Sequence, residues 1–349
     1  GVRMMDKIFA IDLLKNGDQV VGAVAFGLVD GCIYEFRAKA TIVATGNCGY
    51  QHEKTYSSVQ GEGPAMGYRA GAQLTNAEFN SMYVWGVKTL GKELMGIHFY
   101  LHLENARGER IMGKHYPELM VGEHAVFTFD PRVIDAMYKE VKAGLGPIYL
   151  NLVGLSDADI AALGDPVHEE LTHLMGNDTM YLVKEKAGID PSKERLELWP
   201  RLLYTGGGLR IDTKCRTTVP GLWAAGGACS NIWTCGGGSQ GGLGVQSAAV
   251  TGFTAGEDAG AYAMDNPLPG TDPAYAERIV SRVTAPLRRS GDVDAYEITY
   301  RVHEAIVPME YNRIREAGRI REALGILEEA RERLQRVGVA DHHDLARYH

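Results

Sequence analysis

Hydrophobic and polar residues alternate through the first part of the chain. Residues 7–14, 20–29 and 32–46 form three strand-like runs, and turn residues at 16–18 and 30–31 separate them. This pattern predicts a small antiparallel meander. The end of the third run, residues 40–46, is continuously apolar, which is typical of a strand buried on both faces of a larger sheet.

Helical spacing begins after residue 60. Residues 61–74 carry small side chains at helical intervals, which predicts a helix pressed closely against a neighbour. Asp130 and Pro131 are suited to begin a second helix, because Asp caps well and Pro fits the first turn. The predicted buried face of this helix is Ile134, Met137, Tyr138 and Val141, and Gly144 ends it.

The second half of the chain returns to strands and then to helices. Strand-like segments at 208–212 and 221–226 precede a glycine-rich stretch and a long helix of small residues that reaches about Tyr262. From Pro273 onward the pattern is helical and rich in Arg and Glu. The layout predicts a discontinuous α/β domain, an insertion and a helical C-terminal segment.

Composition narrows the class of protein. The chain has 349 residues and a net charge of −8, so nothing attracts nucleic acid electrostatically. No apolar run approaches the ~20 residues that span a bilayer, so no membrane insertion is predicted. Five cysteines without a CxxC pair fit the reduced thiols of a cytoplasmic protein better than a disulfide framework. No metal site is predicted.

Glycine is the outlier in this composition. The chain has 43 glycines, and nine of them lie among residues 221–244. Clusters of this kind either make tight turns or bring main-chain N–H groups against a ligand. A close approach of the backbone to something is therefore predicted near this segment.

Five motifs resemble those of one flavoprotein superfamily, in its order and spacing. They are 38–50 (AKATIVATGNCGY), 61–79 (GEGPAMGYRAGAQLTNAEF), 105–112 (NARGERIM), 204–212 (YTGGGLRID) and 219–228 (VPGLWAAGGA). Together they resemble the flavoprotein subunits of succinate dehydrogenase, fumarate reductase and adenylylsulfate reductase. One such motif is weak evidence, whereas five in order are specific.

The resemblance implies an α/β fold. It predicts a partial FAD-binding domain over 1–79 and 201–265, with an inserted α+β capping domain over 80–200. It also predicts a truncated helical C-terminal domain over 266–349. A capping domain on short hinges would fold over the flavin and exclude water.

The resemblance also gives the glycines a role. In this superfamily the region wraps FAD, and its main-chain N–H groups face the pyrimidine edge of the isoalloxazine. The predicted cofactor-binding residues are Thr45, Gly46, Glu62, Gly226, Gly227, Gly241, Gly242, Gly244 and Val245.

The GxGxxG unit of the superfamily is not found in the chain. That unit places the FAD pyrophosphate on a helix N-terminus, and the match of residues 1–46 predicts that it precedes residue 1. The chain is accordingly expected to be an interior portion of a longer flavoprotein, which by itself holds FAD poorly.

The substrate residues of fumarate reductases and succinate dehydrogenases are replaced. The two expected histidines fall at Leu203 and Tyr83, and the expected arginine falls within 235–242, which contains none. The expected proton-relay arginine falls near Asp130, two residues from Arg132. Each lost charge-assisted hydrogen bond removes roughly 1.5–3 kcal/mol, so a substrate other than fumarate or succinate is predicted. The polar residues placed nearest the flavin's reactive face are Tyr83, Arg132, Tyr204 and Ser239.

The resulting prediction is an FAD-dependent oxidoreductase acting on a small molecule. No cysteine cluster could hold an iron–sulfur centre, so the resemblance implies electron exchange with a separate iron–sulfur, ferredoxin-like subunit. One alternative is an electron-transfer or scaffold flavoprotein without substrate turnover, and a second is an adenylylsulfate reductase alpha-like enzyme. Cys229 and Cys235 are either a redox-active pair or small buried residues, and the second interpretation is favoured because CxxC spacing is absent.

Overall fold

The computed structural model describes most of the chain. The described residues are 1–49, 60–79, 83–89, 92–93, 99–121, 130–163, 179–202, 207–229, 243–308, 311 and 316–349, with the backbone alone at 83–85, 92–93, 179–182, 199–202 and 243. They form two compact units. Unit 1 comprises Gly1–Ser81 and Tyr204–His349, and unit 2 comprises Met82–Leu203.

Unit 1 is built around short sheets. With strands numbered along the whole chain, it contains β1 (Ile8–Asn16), β2 (Gln19–Gly27), β3 (Ile33–Arg37), β4 (Thr41–Val43), β5 (Leu74–Thr75), β11 (Gly208–Leu209) and β12 (Leu222–Ala224). Strands β1, β2 and β3 pair antiparallel in that order, which confirms the predicted meander. β5 pairs antiparallel with β11, and β4 pairs parallel with β12.

Burial of β4 differs from the sequence expectation. Val43 is buried, but Ile42 keeps 41% of its surface exposed. The prediction of a strand buried on both faces is therefore wrong at Ile42. The reason is that, within the described residues, β4 pairs only with β12, and the helix beside this pair covers Trp223 rather than Ile42.

The helices of unit 1 flank these sheets. They are α1 (Glu62–Arg69), α6 (Leu243–Asp265), α7 (Pro273–Thr284), α8 (Ala295–Ile306), α9 (Ala317–Leu334) and α10 (His342–Tyr348). The C-terminal helices pack on the meander through an apolar cluster that includes Leu14, Val24, Ile279 and Val283. The segment 266–349 thus shares its core, and its compact unit, with β1 and β2.

A second packing centre joins α6 to the parallel pair. Trp223 on β12 is 2% exposed and meets the ring of Tyr262 edge-on at 5.2 Å. Its indole Nε1 donates to Asp258 at 2.9 Å, which satisfies the polar atom of the buried ring. This contact fixes α6 along one face of β12.

Unit 2 contains one five-stranded antiparallel sheet in the order β7-β6-β10-β9-β8. These strands are β6 (Tyr83–Val87), β7 (Lys92–Glu93), β8 (Leu103–Glu104), β9 (Ile148–Leu150) and β10 (Leu196–Leu202). Its helices are α2 (Ile111–His115), α3 (Pro131–Lys142), α4 (Asp157–Ala162) and α5 (Thr179–Ala187).

The helix starts of unit 2 follow the sequence signals. The Asp130 side chain accepts from the backbone N–H of Arg132, with Pro131 in the first turn, which confirms the predicted start of α3. Ser156 and Asp159 form the reciprocal capping box at α4. Across the described residues of both units, no helix is long and apolar enough to cross a membrane.

Candidate cofactor site

The parallel pair β4–β12 brings two loops to one edge of unit 1. Thr41, Ile42 and Val43 are in register with Leu222, Trp223 and Ala224. The backbone N–H of Ala225 donates to the carbonyl of Val43 at 2.9 Å, so the contact continues past the strand ends. Ligands of α/β folds bind outside the carboxyl ends of parallel strands, and this edge is the equivalent place here.

The two loops approach each other closely at glycine positions. Gly46 and Gly226 have φ values of +77° and +62°, the left-handed region that glycine adopts without strain. A Cβ at Gly227 would lie 2.8 Å from the nitrogen of Asn47 and 3.1 Å from the carbonyl carbon of Gly46. Only glycine therefore fits at position 227. We call Gly46, Asn47, Gly226 and Gly227 the glycine cradle.

The start of α1 packs against the first of these loops. A Cβ at Gly63 would lie 2.0 Å from the Thr45 Oγ1. Gly61, in the left-handed region at φ +96°, caps α1. The Glu62 Oε2 accepts from the N–H of Gln60 at 3.2 Å. The structure thus brings together Thr45, Gly46, Gly226 and Gly227, and Glu62 lies in the adjoining turn.

Helix α6 begins on the C-terminal side of β12. Gly244 and Val245 lie in its first turn, and Val245 is 79% exposed. One turn further, Ser247 is 5% exposed and its Oγ has no hydrogen-bond partner within the described residues. A helix of 23 residues concentrates partial positive charge at its start, which favours an anionic group there. The predicted residues Gly241 and Gly242 lie outside the described residues.

These features fit a dinucleotide such as FAD. The close approach at Gly227 leaves no room for a side chain at that position, and the buried Ser247 hydroxyl has spare hydrogen-bonding capacity. Thr45, Gly46, Glu62, Gly226, Gly227, Gly244 and Val245 are the described residues that would hold the cofactor.

Of the four predicted catalytic residues, the structure describes the side chain of Arg132 alone. Tyr83 lies in β6 with only its backbone described, and Tyr204 and Ser239 lie outside the described residues. Arg132 pairs with Asp130 through two hydrogen bonds of 3.0 and 2.9 Å. Hydrogen bonding to Asp130 raises the pKa of Arg132, so this guanidinium stays charged and does not serve as a base. A catalytic role for any of the four remains a prediction.

Cys229 occupies a packing position. It is 1% exposed, and its Sγ donates to the carbonyl of Gly226 at 3.1 Å. Burial raises the pKa of Cys229 to about 11, so the thiol stays protonated near neutral pH and is a poor nucleophile. This environment supports the interpretation of a small buried residue. Cys235 lies outside the described residues.

The motif at 105–112 builds a buried polar network in unit 2. Glu140 is 1% exposed and accepts from Asn105 at 2.7 Å, Lys114 at 2.8 Å and His115 at 2.5 Å. Asn105, fully buried, also donates to Glu109 at 2.8 Å. We call these five residues the Glu140 network. Sequence reasoning missed it, because it placed the buried face of α3 through Tyr138 and Val141, which are only half-buried. The face runs instead through Val133, Met137 and Glu140, and a charged residue there was not expected to be buried.

The pKa of Glu140 reflects competing effects. Burial alone would raise it, but the hydrogen bonds from Asn105, Lys114 and His115 outweigh burial and lower the pKa of Glu140 to about 2. Glu140 is therefore a carboxylate at every physiological pH, and the network is an ionic one.

Comparison with known proteins decides the family. The family described as "FAD binding domain" matches residues 1–242. The chain belongs to this FAD-binding family. The glycine cradle and Thr45, Glu62 and Gly63 all lie within the matched range, and FAD is the cofactor of the family.

The relatives agree with the predicted superfamily. A fumarate reductase flavoprotein subunit of a Serratia species is 28% identical, over 98% of this chain and 58% of its own length. An FAD-dependent oxidoreductase of Methanocaldococcus jannaschii is 27% identical, over 99% of this chain and 61% of its own. The chain thus spans about three fifths of the length of the relatives it matches.

Solved structures share the fold. Escherichia coli quinol fumarate reductase has a TM-score of 0.75 at 25% identity, covering 98% of this chain and 60% of its own. Mycobacterium smegmatis Sdh1 has a TM-score of 0.73 at 26% identity, with coverage of 98% and 57%. Adenylylsulfate reductase of Archaeoglobus fulgidus, at 21% identity and a TM-score of 0.70 with coverage of 98% and 62%, shares the fold. The predicted fold class and superfamily are confirmed.

Proposed function

We propose that the protein is an FAD-dependent oxidoreductase of the fumarate reductase and succinate dehydrogenase type. The observation that carries this proposal is the glycine cradle at the carboxyl ends of β4 and β12, inside the range matched by the FAD-binding family. The flavin would supply two-electron chemistry. The chain's own contribution is to hold it with main-chain groups and with the start of α6, which stabilise negative charge.

We further propose a substrate other than fumarate or succinate. The support is the loss of charged ligands at the matched positions Leu203 and Tyr83 and across 235–242. Arg132, the nearest arginine to the expected relay position, is held in a bidentate pair with Asp130. Without these groups the binding free energy for two carboxylates falls by several multiples of roughly 1.5–3 kcal/mol.

The proposal includes a capping role for residues 80–200. It is supported by the compactness of Met82–Leu203 as a unit with its own sheet and buried network. A lid that folds independently can move without disturbing the cofactor domain. A structure of the FAD-bound protein with residues 80–200 over the isoalloxazine would support this role, and one with these residues packed elsewhere would contradict it.

We propose electron exchange with a separate iron–sulfur protein in the cytoplasm. The support is the superfamily, since the relatives are named as flavoprotein subunits, together with the lack of any CxxC pair among the five cysteines. Copurification of the full-length protein with a ferredoxin-like subunit would support this arrangement. Full turnover with NAD(P)H as sole electron donor would contradict it.

The experiment for the main proposal has two stages on the full-length protein. FAD is first titrated in and followed by quenching of flavin fluorescence, and saturable binding is expected. The bound flavin is then reduced with a viologen donor, and its reoxidation by fumarate is compared with reoxidation by other small oxidants. Failure to bind FAD would overturn the proposal. Rapid reoxidation by fumarate would overturn only the substrate assignment, and no reoxidation by any small molecule would favour a scaffold role.

A further inference from the structure

Gly226 is fixed at both of its backbone polar groups by buried side chains. Its N–H donates to the Oγ1 of Thr251 at 2.8 Å, and its carbonyl accepts from the Sγ of Cys229 at 3.1 Å. Thr251 is 8% exposed and Cys229 is 1% exposed. The glycine that begins the second loop of the cradle is therefore held from α6 on one side and from its own turn on the other.

The Thr251 hydroxyl is committed to this orientation. Its Oγ1 donates to the carbonyl of Ser247 at 2.6 Å, one turn earlier on α6. A hydroxyl has a single proton, so once that proton is given to Ser247 the oxygen can only accept from Gly226. The direction of the hydrogen bond is thereby set by the helix, and the N–H of Gly226 is aligned with it.

The position of Gly226 sets the position of Gly227. The two residues are consecutive, and Gly227 packs so closely on Asn47 that its Cα leaves no room for a methyl group. Any rotation of the Gly226 peptide moves Gly227 away from the first loop or into it. The hydrogen bonds at Gly226 thus determine whether the cradle keeps its shape.

We propose that Thr251 and Cys229 are positioning residues for bound FAD. They hold Gly226 in the left-handed conformation that lets Gly227 meet Gly46 and Asn47. This inference rests on the proposed function only in placing FAD at this edge of unit 1. Neither side chain is assigned contact with the cofactor, because both act through Gly226.

The chain offers a matched control for Thr251. Thr284 on α7 makes the same bond to the carbonyl one turn earlier, from its Oγ1 to Val280 at 2.8 Å. Thr251→Val and Thr284→Val therefore remove the same intrahelical hydrogen bond. Only the first also leaves the N–H of a cradle glycine without its acceptor.

The test measures FAD affinity, the midpoint potential of the bound flavin and unfolding by urea, in the full-length protein. Thr251→Val is expected to weaken FAD binding by about tenfold or more and to shift the potential, because a buried N–H loses its partner. Thr251→Ser keeps the hydroxyl and should restore both values to within about threefold of wild type. Thr284→Val should leave both unchanged.

If Thr251→Val does not fold, variants of Cys229 test the other hydrogen bond that holds Gly226. Cys229→Ser keeps a donor to Gly226 and is expected to bind FAD more tightly than Cys229→Ala. Equal FAD affinity and potential for Thr251→Val and Thr284→Val, or for the two Cys229 variants, would overturn the inference while leaving the proposed function intact. A wild-type protein that does not bind FAD would overturn both.

Discussion

The glycine cradle in unit 1 and the Glu140 network in unit 2 are built from opposite materials. The cradle has no charged side chain among its four residues, and it exists because two loops approach at the distance of bare backbone. The network gathers two carboxylates, an ammonium group and an imidazole around buried Asn105. The cradle is therefore sensitive to added volume, whereas the network is sensitive to removed charge.

The cradle is suited to binding a cofactor, and the Glu140 network is suited to holding a loop against a helix. A backbone surface without charged side chains can accept a large anionic cofactor with no ionic partner to displace. The network joins loop 105–110 to helix α3 through two buried groups, Glu140 and Asn105, and each of these would be an uncompensated buried group without the other members. Three tests compare the effect of removed charge in the network with the effect of added volume in the cradle.

The largest effect is expected from Glu140→Ala. Removing the carboxylate leaves Asn105 and His115 without this acceptor, and each lost hydrogen bond to a charged group costs roughly 1.5–3 kcal/mol of the free energy of unfolding. Lys114 is half exposed and keeps Glu109 at 3.6 Å, so its lost pair adds little. Urea denaturation followed by circular dichroism measures this loss. Glu197→Gln is the control, since its 2.7 Å pair with Lys88 is partly open to solvent and should change stability by less than about 1 kcal/mol. Similar losses for both variants would contradict the network's importance.

The pH dependence of stability should carry the same signature. The folded pKa of Glu140 is about 2, below its ordinary value of 4.5. A depressed pKa means that the stabilisation is complete above about pH 4.5 and is lost as the pH falls toward 2. Glu140→Gln has no such carboxyl, so its free energy of unfolding should fall less steeply between these values. Parallel curves for variant and wild type would show that Glu140 titrates normally.

The smallest effect is expected from adding a methyl group to a glycine, and the sign of the change in the free energy of unfolding should depend on which glycine is changed. Gly227→Ala forces a methyl group to within 2.8 Å of the Asn47 nitrogen and should destabilise the fold by roughly 1–3 kcal/mol, with loss of FAD affinity. Gly256→Ala on α6 meets nothing within 4 Å and should stabilise by about 0.5–1 kcal/mol, because alanine favours a helix. Thermal unfolding of both variants measures the contrast, and two changes of the same sign would contradict it.

Much of the fold could be predicted from signals that act between residues close together in the sequence. Turn residues at 16–18 and 30–31 and the Asp130–Pro131 cap act within a few residues of themselves, so the sequence alone was sufficient to predict the meander and the start of α3. The superfamily followed from five ordered motifs. These features depend on short-range chemistry or on matched spacing.

Features set by contacts far apart in the chain escaped prediction. Thr251 looks like one small residue among many in a helix of small residues, and its bond to Gly226 spans 25 positions. Glu140 meets Asn105 across 35 positions. The exposure of Ile42 depends on which elements pack beside β4, and the sequence around Ile42 does not show which elements those are. One local contact also escaped prediction, the pair between Arg132 and Asp130, because the sequence does not show which carboxylate a guanidinium will bind.

The parallel pairing of β4 with β12 also has a consequence for how this chain tolerates change. Strands at 41–43 and 222–224 stay in register although the whole of unit 2 lies between them in the sequence. The entropic cost of closing such a loop grows only with the logarithm of the loop length, so doubling the length adds about 0.6 kcal/mol. That is less than the cost expected for one methyl group at Gly227. An insertion that lengthens unit 2 is therefore expected to cost less free energy of unfolding than one methyl group added at Gly227.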